Sequence, residues 1–282
     1  MNNNIKTVAL LGLLTGLFLF IGGALGGRGG MIVALVFAGV MNLASFWFSD
    51  KIVLKMYGAQ PLSESEAPGI HGMVNELSQR AGIPKPKVYV LNEESPNAFA
   101  TGRNPDHAAI ALSAGIMKLM NREELRGVIG HELSHILHRD TLIQTAAATL
   151  AGAIMFLAHQ MQWFAFLGGS SRDDDDNGGI VGLLAMAILA PIAAMLIQMA
   201  ISRSREYKAD ASAAELTHNP EGLASSLEKL GYYTRRVPMH ATTQTAHLFI
   251  VSPLSAKGFA GLFSTHPPLE ERVARLRAYR FQ

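Results

Sequence analysis

A chain of 282 residues with 24 Lys and Arg against 22 Asp and Glu carries a formal charge of +2 at neutral pH. That excess is too small to mark a nucleic-acid footprint, and no basic stripe with interleaved aromatics is present. Hydrophobic residues make up 49% of the chain and charged residues 16%, gathered so that the apolar residues form blocks, which excludes an ordinary soluble domain and marks a membrane protein.

Two apolar blocks, residues 7–26 and 30–49, come first, each long enough to span a bilayer and free of charged residues. Lys6 ahead of small residues at Ala24 to Gly27 also suits a secretory signal. The apolar run is longer than a signal core, however, and the second block follows after a short Gly-Arg-Gly turn, so the pair reads as a retained hairpin. The next stretch is globular in character. Ile70, Met73, Val74 and Leu77 give residues 67–81 a helical period, ended by Pro84-Lys85-Pro86. Residues 87–91, 97–102 and 108–113 read as strands, the last two around a turn at Arg103-Asn104-Pro105-Asp106. A small antiparallel sheet is expected, with an edge on which an extended peptide can pair through its main chain.

Asn121 with Glu124 three positions on is a capping box, and the helix it opens carries His131-Glu132-Leu133-Ser134-His135. Two histidines four residues apart share a helical face and can grip a zinc ion, while the glutamate between them reaches the water that the metal activates. A catalytic zinc needs a third protein ligand and keeps its fourth position open. A histidine ten residues after the first would supply it in one known pattern, but Thr141 stands there. His138 lies on the same face, a turn too far along a straight helix to close a tetrahedron, and reads as a helix-face histidine. In the run from Ser202 to Asp210, Glu206 and Asp210 stand four apart on one face. There Glu206 would ligate and Asp210 would orient a histidine; the alternative is a solvated charged face.

A third block, residues 142–167, contains Gln144, His159, Gln160 and Gln162, so part of it is expected against protein or at the interface. An acidic loop at Asp173 to Asp176 leads to a fourth block, residues 180–201, which Pro191 is expected to kink. Lys6, Lys51, Lys55, Arg139, Arg203, Arg205 and Lys208 flank the ends that would share one side, which places both termini and the catalytic part in the cytoplasm. On helix lengths the zinc would sit about 10 Å from that membrane surface. Asn219 caps a further helix, with Leu223, Leu227 and Leu230 on one face. Residues 235–253, irregular and of mixed polarity, are expected to form a lid or surface loop over the cleft.

His-Glu-x-x-His, the later Glu-x-x-x-Asp, the segment Ser264-Thr265-His266-Pro267-Pro268-Leu269-Glu270-Glu271-Arg272 and the upstream Pro96-Asn97-Ala98-Phe99-Ala100-Thr101-Gly102 together resemble the HtpX branch of the membrane gluzincins, relatives of the CAAX prenyl proteases. The resemblance covers nearly the whole chain. It implies one zinc per chain on His131, His135 and Glu206, and endoproteolysis of misfolded or damaged membrane proteins and unfolded polypeptides in quality control at a bacterial inner membrane. Glu132 would act as general base, taking a proton from the zinc-bound water and passing it to the leaving amine. By the same resemblance His266 and Arg272 are catalytic candidates for steadying the oxyanion, and Asn97 for holding the substrate chain. His266 ahead of two prolines also suits a helix-entry turn, and Arg272 an exposed amphipathic helix.

Two rivals fare worse. An intramembrane-cleaving metalloprotease should carry its motif inside an apolar span, and Asn104-Pro105-Asp106 precedes the zinc helix. A zinc transporter does not suit a motif bracketed by Glu123, Glu124, Arg126, Arg139 and Asp140. The expected architecture is a mainly α membrane protein of four transmembrane helices with a cytoplasmic α+β gluzincin domain. Residues 1–50 and 141–201 would form membrane hairpins in the lipid bilayer, and residues 51–140 and 202–282 the catalytic part.

Overall fold

The fold was analysed in a computed structural model that describes residues 3–168, 191–192, 203–233, 236, 248–251 and 267–281. The acidic loop at Asp173 to Asp176, most of the fourth apolar block and His266 lie outside these residues, as does much of the stretch expected to form a lid.

The first helix, α1 (Asn3–Met56), is two arms joined where Gly26 (φ −140°, ψ 17°) and Gly27 (φ 55°, ψ −138°) leave helical geometry. Gly27 takes a left-handed φ that side chains resist. The arms then meet so closely that a Cβ on Gly30 would overlap the carbonyl of Gly22. Further along, Asn42 Nδ2 donates to Thr15 Oγ1 (3.0 Å), and Phe18 meets Phe37 edge to face. The second arm contains Gly26–Phe48, 23 residues long and apolar enough to cross a membrane. At about 1.5 Å per residue it exceeds a hydrocarbon core of about 30 Å. Ile32, Val33, Val36, Val40 and Leu43 are exposed along it.

Helix α5 (Asp140–Gly168) packs Ile143, Ala147, Leu150, Ala151 and Ile154 against Leu14, Phe18 and Ala38 of both arms, with Ile192 at the edge of the same cluster. Four spans were expected; among the described residues the second arm of α1 is the one helix long and apolar enough to cross.

Between these lie β1 (Gln60–Pro61), α2 (Pro68–Ala81), β2 (Lys87–Leu91), β3 (Ala98–Gly102), β4 (Ala108–Ser113), α3 (Ala114–Leu119) and α4 (Arg122–Leu137). The sheet has the order β1-β2-β4-β3, and here an expectation is corrected: it is mixed, with β2 parallel to β4 and the other two pairs antiparallel. The hairpin of β3 and β4 docks with β4 inward because Ala108-Ala-Ile-Ala-Leu-Ser113 is buried on both faces, as a central strand must be. That leaves β3 at one edge.

Further along the chain come α6 (Arg203–Thr217), α7 (Pro220–Tyr233) and α8 (Leu269–Arg277). Asn219 Oδ1 accepts from Gly222 N (3.1 Å) at the start of α7, and Leu223, Leu227 and Leu230 are buried. Helix α4 is the axis of the main core: Leu125, Val128, Ile129, Leu133 and Ile136 pack with residues of α2, the sheet, α6, α7 and α8.

Candidate metal centre

Helix α4 starts where Asn121 Oδ1 accepts from Glu124 N and Glu124 Oε2 accepts from Asn121 N, each at 2.9 Å. The closed capping box fixes the helix register, and ten residues after Asn121 the helix presents His131, then Glu132 and His135, to the interior. From α6, Glu206 arrives opposite. Its oxygens lie 3.7 Å from His131 Nε2 and 3.6 Å from His135 Nε2, and the two Nε2 atoms are 3.2 Å apart. All three ligand atoms fall within 4.8 Å of one another, and all three residues are buried.

Each histidine turns its other nitrogen to a carboxylate. His131 Nδ1 donates to Asp210 Oδ1 (3.0 Å) and His135 Nδ1 to Asp140 Oδ2 (3.2 Å). These bonds hold the Nδ1 protons toward the carboxylates and turn both Nε2 atoms toward Glu206, so that once Nε2 of His135 gives up its proton the two Nε2 lone pairs are the donor set a cation needs. Each carboxylate in turn meets an arginine. Arg272 is fully buried and grips Asp210 in a fork, Nε to Oδ2 at 2.9 Å and Nη2 to Oδ1 at 2.7 Å. Arg205 Nε lies 3.6 Å from Asp140 Oδ1. Arg272 Nη1 lies 3.7 Å from Glu206 and donates to Ile250 O (3.0 Å).

Burial decides two alternatives left by the sequence. Glu206 and Asp210, 1% and 3% exposed, are not a solvated helix face, and Arg272 is not exposed. Asn97 is buried too; its Nδ2 donates to Val251 O (3.0 Å) and its Oδ1 accepts from Ala98 N (3.1 Å). His138 is the C-cap of α4 and stands apart from the ligand cluster.

Asp140 and Arg205 were not assigned to the site from sequence. Asp140 is five residues past His135, off its helical face, and reaches it because the chain breaks at Arg139 (φ 57°) before α5 begins. A non-glycine residue held at positive φ between two helices is the structural signal, and sequence does not show it.

Electrostatics divide the roles. Burial, with the nearby charges of His135 and Arg272, lowers His131 to about 4 against the pull of Asp210, so this ring is neutral. Burial also opposes charge on His135, but the Asp140 hydrogen bond and the carboxylates of Glu206 and Glu132 outweigh it and raise that ring to about 9. Glu132 is pushed up to about 7 by burial, with Glu206 adding to the rise, while His135 and a backbone N–H of Ala100 resist it. Burial works against charge on Asp210, yet the Arg272 guanidinium holds it well below the usual carboxylate range.

A helix with two inward histidines and a glutamate between them, closed by a glutamate from a second helix and set beside a sheet edge, defines a metallopeptidase of the glutamate-ligand class. The chain belongs to peptidase family M48, whose model matches residues 64–280. It is 55% identical over 278 residues to a protease HtpX homolog of Desulforapulum autotrophicum, covering 98% of this chain and 90% of the relative. It is 50% identical over 283 residues to the protease HtpX of Legionella pneumophila, covering 99% of each. Among solved structures, the crystal structure of S. mikatae Ste24p shares the fold with a TM-score of 0.50 at 19% identity; the match covers 96% of this chain and 65% of that one. The chain is therefore a metallopeptidase acting on polypeptides, and its family implies a metal that the cluster of His131, His135 and Glu206 suits.

Proposed function

We propose that the chain is a zinc-dependent endopeptidase of the bacterial inner membrane that cuts misfolded or damaged membrane proteins and unfolded polypeptides from the cytoplasmic side. The observation that carries this reading is the buried cluster of His131, His135 and Glu206, with both Nδ1 atoms already committed to carboxylates and Glu132 alongside. Two imidazoles and one carboxylate form a three-ligand set of the kind catalytic zinc takes, with a fourth position left open, so one zinc per chain fits. Bound there, zinc supplies Lewis acidity, lowering the pKa of a water toward neutrality and polarising a peptide carbonyl.

The chain's own residues do the rest. Glu132, with its pKa near the working pH, accepts the proton of the attacking water and returns it to the departing amine nitrogen. Asp210 and Asp140 keep the two imidazoles aimed, and Arg272 holds Asp210 in place from behind. We read Arg272 as a positioning residue through Nε and Nη2, which hold Asp210, while Nη1 meets the carbonyl of Ile250. His266 remains the candidate donor to the oxyanion, and Asn97 the candidate grip on the substrate chain.

The apolar hairpin of α1, packed against α5, supports residence in the membrane, with residues 1–50 and 141–201 as membrane hairpins and residues 51–140 and 202–282 as the catalytic part. Basic residues at Lys51, Lys55 and Arg139 support the cytoplasmic side for that part and for both termini.

The test is to purify the parent chain and Glu132→Gln in detergent without chelator, and to measure zinc per chain and cleavage of an unfolded protein. One zinc in each is expected, with cleavage by Glu132→Gln reduced on the order of a hundredfold or more. Zinc in both and cleavage in neither would overturn the proposal.

A further inference from the structure

Four residues of the stretch expected to form a lid lie against the outer edge of β3. Asn97 O accepts from Ser113 N, so along β3 the odd-numbered backbone groups turn toward β4 and the even-numbered ones outward. The outward carbonyl of Ala98 is taken by the N–H of Ile250 (3.0 Å). The outward N–H of Ala100, two residues on, faces the general-base candidate Glu132.

The rest of the contact is equally specific. Asn97 Nδ2 donates to the carbonyl of Val251, and Arg272 Nη1 to the carbonyl of Ile250, each at 3.0 Å. Val251 thus meets Asn97, Ile250 meets Ala98, and Phe249 meets Phe99 with ring centroids 5.4 Å apart. The contacts run antiparallel to β3, on a bent segment that is not itself a β-strand and makes one backbone hydrogen bond to it. Phe249 is fully buried and also meets Tyr57 edge to face at 5.1 Å. With Leu248 it fills an apolar pocket formed by Val53 and Leu54 of α1, Leu91, Ala109 and Ala111 of the sheet, and Ala148 of α5.

An extended polypeptide laid on β3 so as to pass Glu132 would need the same Ala98 carbonyl and the same side-chain donors. Both cannot be there at once. We propose that Leu248–Val251 is a built-in occupant of the substrate-strand position on β3. It leaves when an extended polypeptide binds, and the pocket vacated by Phe249 takes a large apolar, preferably aromatic, side chain of that polypeptide. The proposal rests on the peptidase reading above. An occupant present nine-tenths of the time would weaken apparent substrate affinity about tenfold, and that factor is what an experiment can recover.

The chain has no cysteine, so Val251→Cys introduces a single thiol at a residue that is 7% exposed. In a Glu132→Gln background, which would retain substrate uncut, its labelling by a maleimide is measured in detergent with and without two peptides. One is extended and carries a central Phe; the other has Asp in place of that Phe. Labelling about tenfold faster with the Phe peptide, and unchanged with the Asp peptide, is expected. An unchanged rate at saturating Phe peptide, with saturation read separately by fluorescence anisotropy, overturns the proposal.

Phe249→Ala in the otherwise unaltered chain gives the second reading: KM for an unfolded substrate should fall about tenfold with kcat little changed. A merely structural phenylalanine would lower the melting temperature and leave KM where it was or raise it, which counts against the proposal. The two readings separate cleanly. A parent that cleaves while labelling stays flat sinks the occupant and spares the peptidase. A zinc-loaded parent that cleaves nothing while labelling rises does the reverse.

Discussion

His131 and His135 are four residues apart on one helix, yet their surroundings make them different acids. His131 stays neutral down to about pH 4, whereas His135, raised to about 9, holds a proton at neutral pH in the metal-free chain. A cation must displace that proton. About one proton should therefore be released per zinc near pH 7.5, with apparent affinity rising roughly tenfold per pH unit and levelling off above about 9. Calorimetry in buffers of different ionisation enthalpy reads this directly. Asp140→Asn should weaken zinc binding roughly 10- to 100-fold and also cut the proton release, because the carboxylate charge that helps raise His135 is removed. Asp210→Asn should weaken binding by a similar factor and leave proton release unchanged, since His131 carries no proton to lose. The stability of the metal-free fold follows the same sign. A raised histidine stabilises fully below the ordinary histidine value of 6.5, and that contribution is lost as pH rises through about 9.

Helix α4, which carries the two histidines, packs closely on α7, and glycine makes this possible. A Cβ on Gly127 would stand 2.6 Å from Leu223 N and 2.8 Å from Leu223 Cα, both backbone atoms that cannot rotate away. Gly127→Ala should therefore lower stability by about 2 kcal/mol, seen as a lower melting temperature in detergent with one zinc still bound. Elements of this kind were open to sequence reading where the signal is local. The apolar period of α2, the alternation of β2 and the capping box at Asn121 each lie within a few residues. The pairing of β2 with β4 was not open, because it depends on which side of the β3–β4 hairpin packs inward and on contacts 22 residues apart, as between Lys87 and Ala109. At the site, the histidine spacing is a property of one helix, whereas Glu206 had only Asp210 and a family likeness to single it out. Asp140, Arg205 and Phe249 reach their partners through a backbone break or across distant segments, and nothing periodic marks them.

At the scale of the whole molecule, the ligand set joins two separate stretches of chain. Helix α4 brings two donors and α6, which follows α5 in the chain, brings the third. Zinc bound to all three should hold these stretches together, so a chelator should lower the apparent melting temperature and added zinc restore it. At a free concentration a hundredfold above Kd the gain is about 2.7 kcal/mol. Glu206→Ala should abolish most of that response, and an unchanged zinc-dependent shift in this variant would remove Glu206 from the ligand set. One feature of the long helix α5 bears on how far such a site can be separated from its surroundings. Its first residue, Asp140, is also the residue that aims His135, and the same helix continues through Ile143, Ala147 and Leu150 into the packing against α1. Helix α5 and the metal helix thus share a joint at Arg139 instead of being strung together by a linker. A soluble offspring of this chain, cut just after its histidine motif, would keep both imidazoles and lose the group that points one of them. Such a fragment would have to find His135 another acceptor.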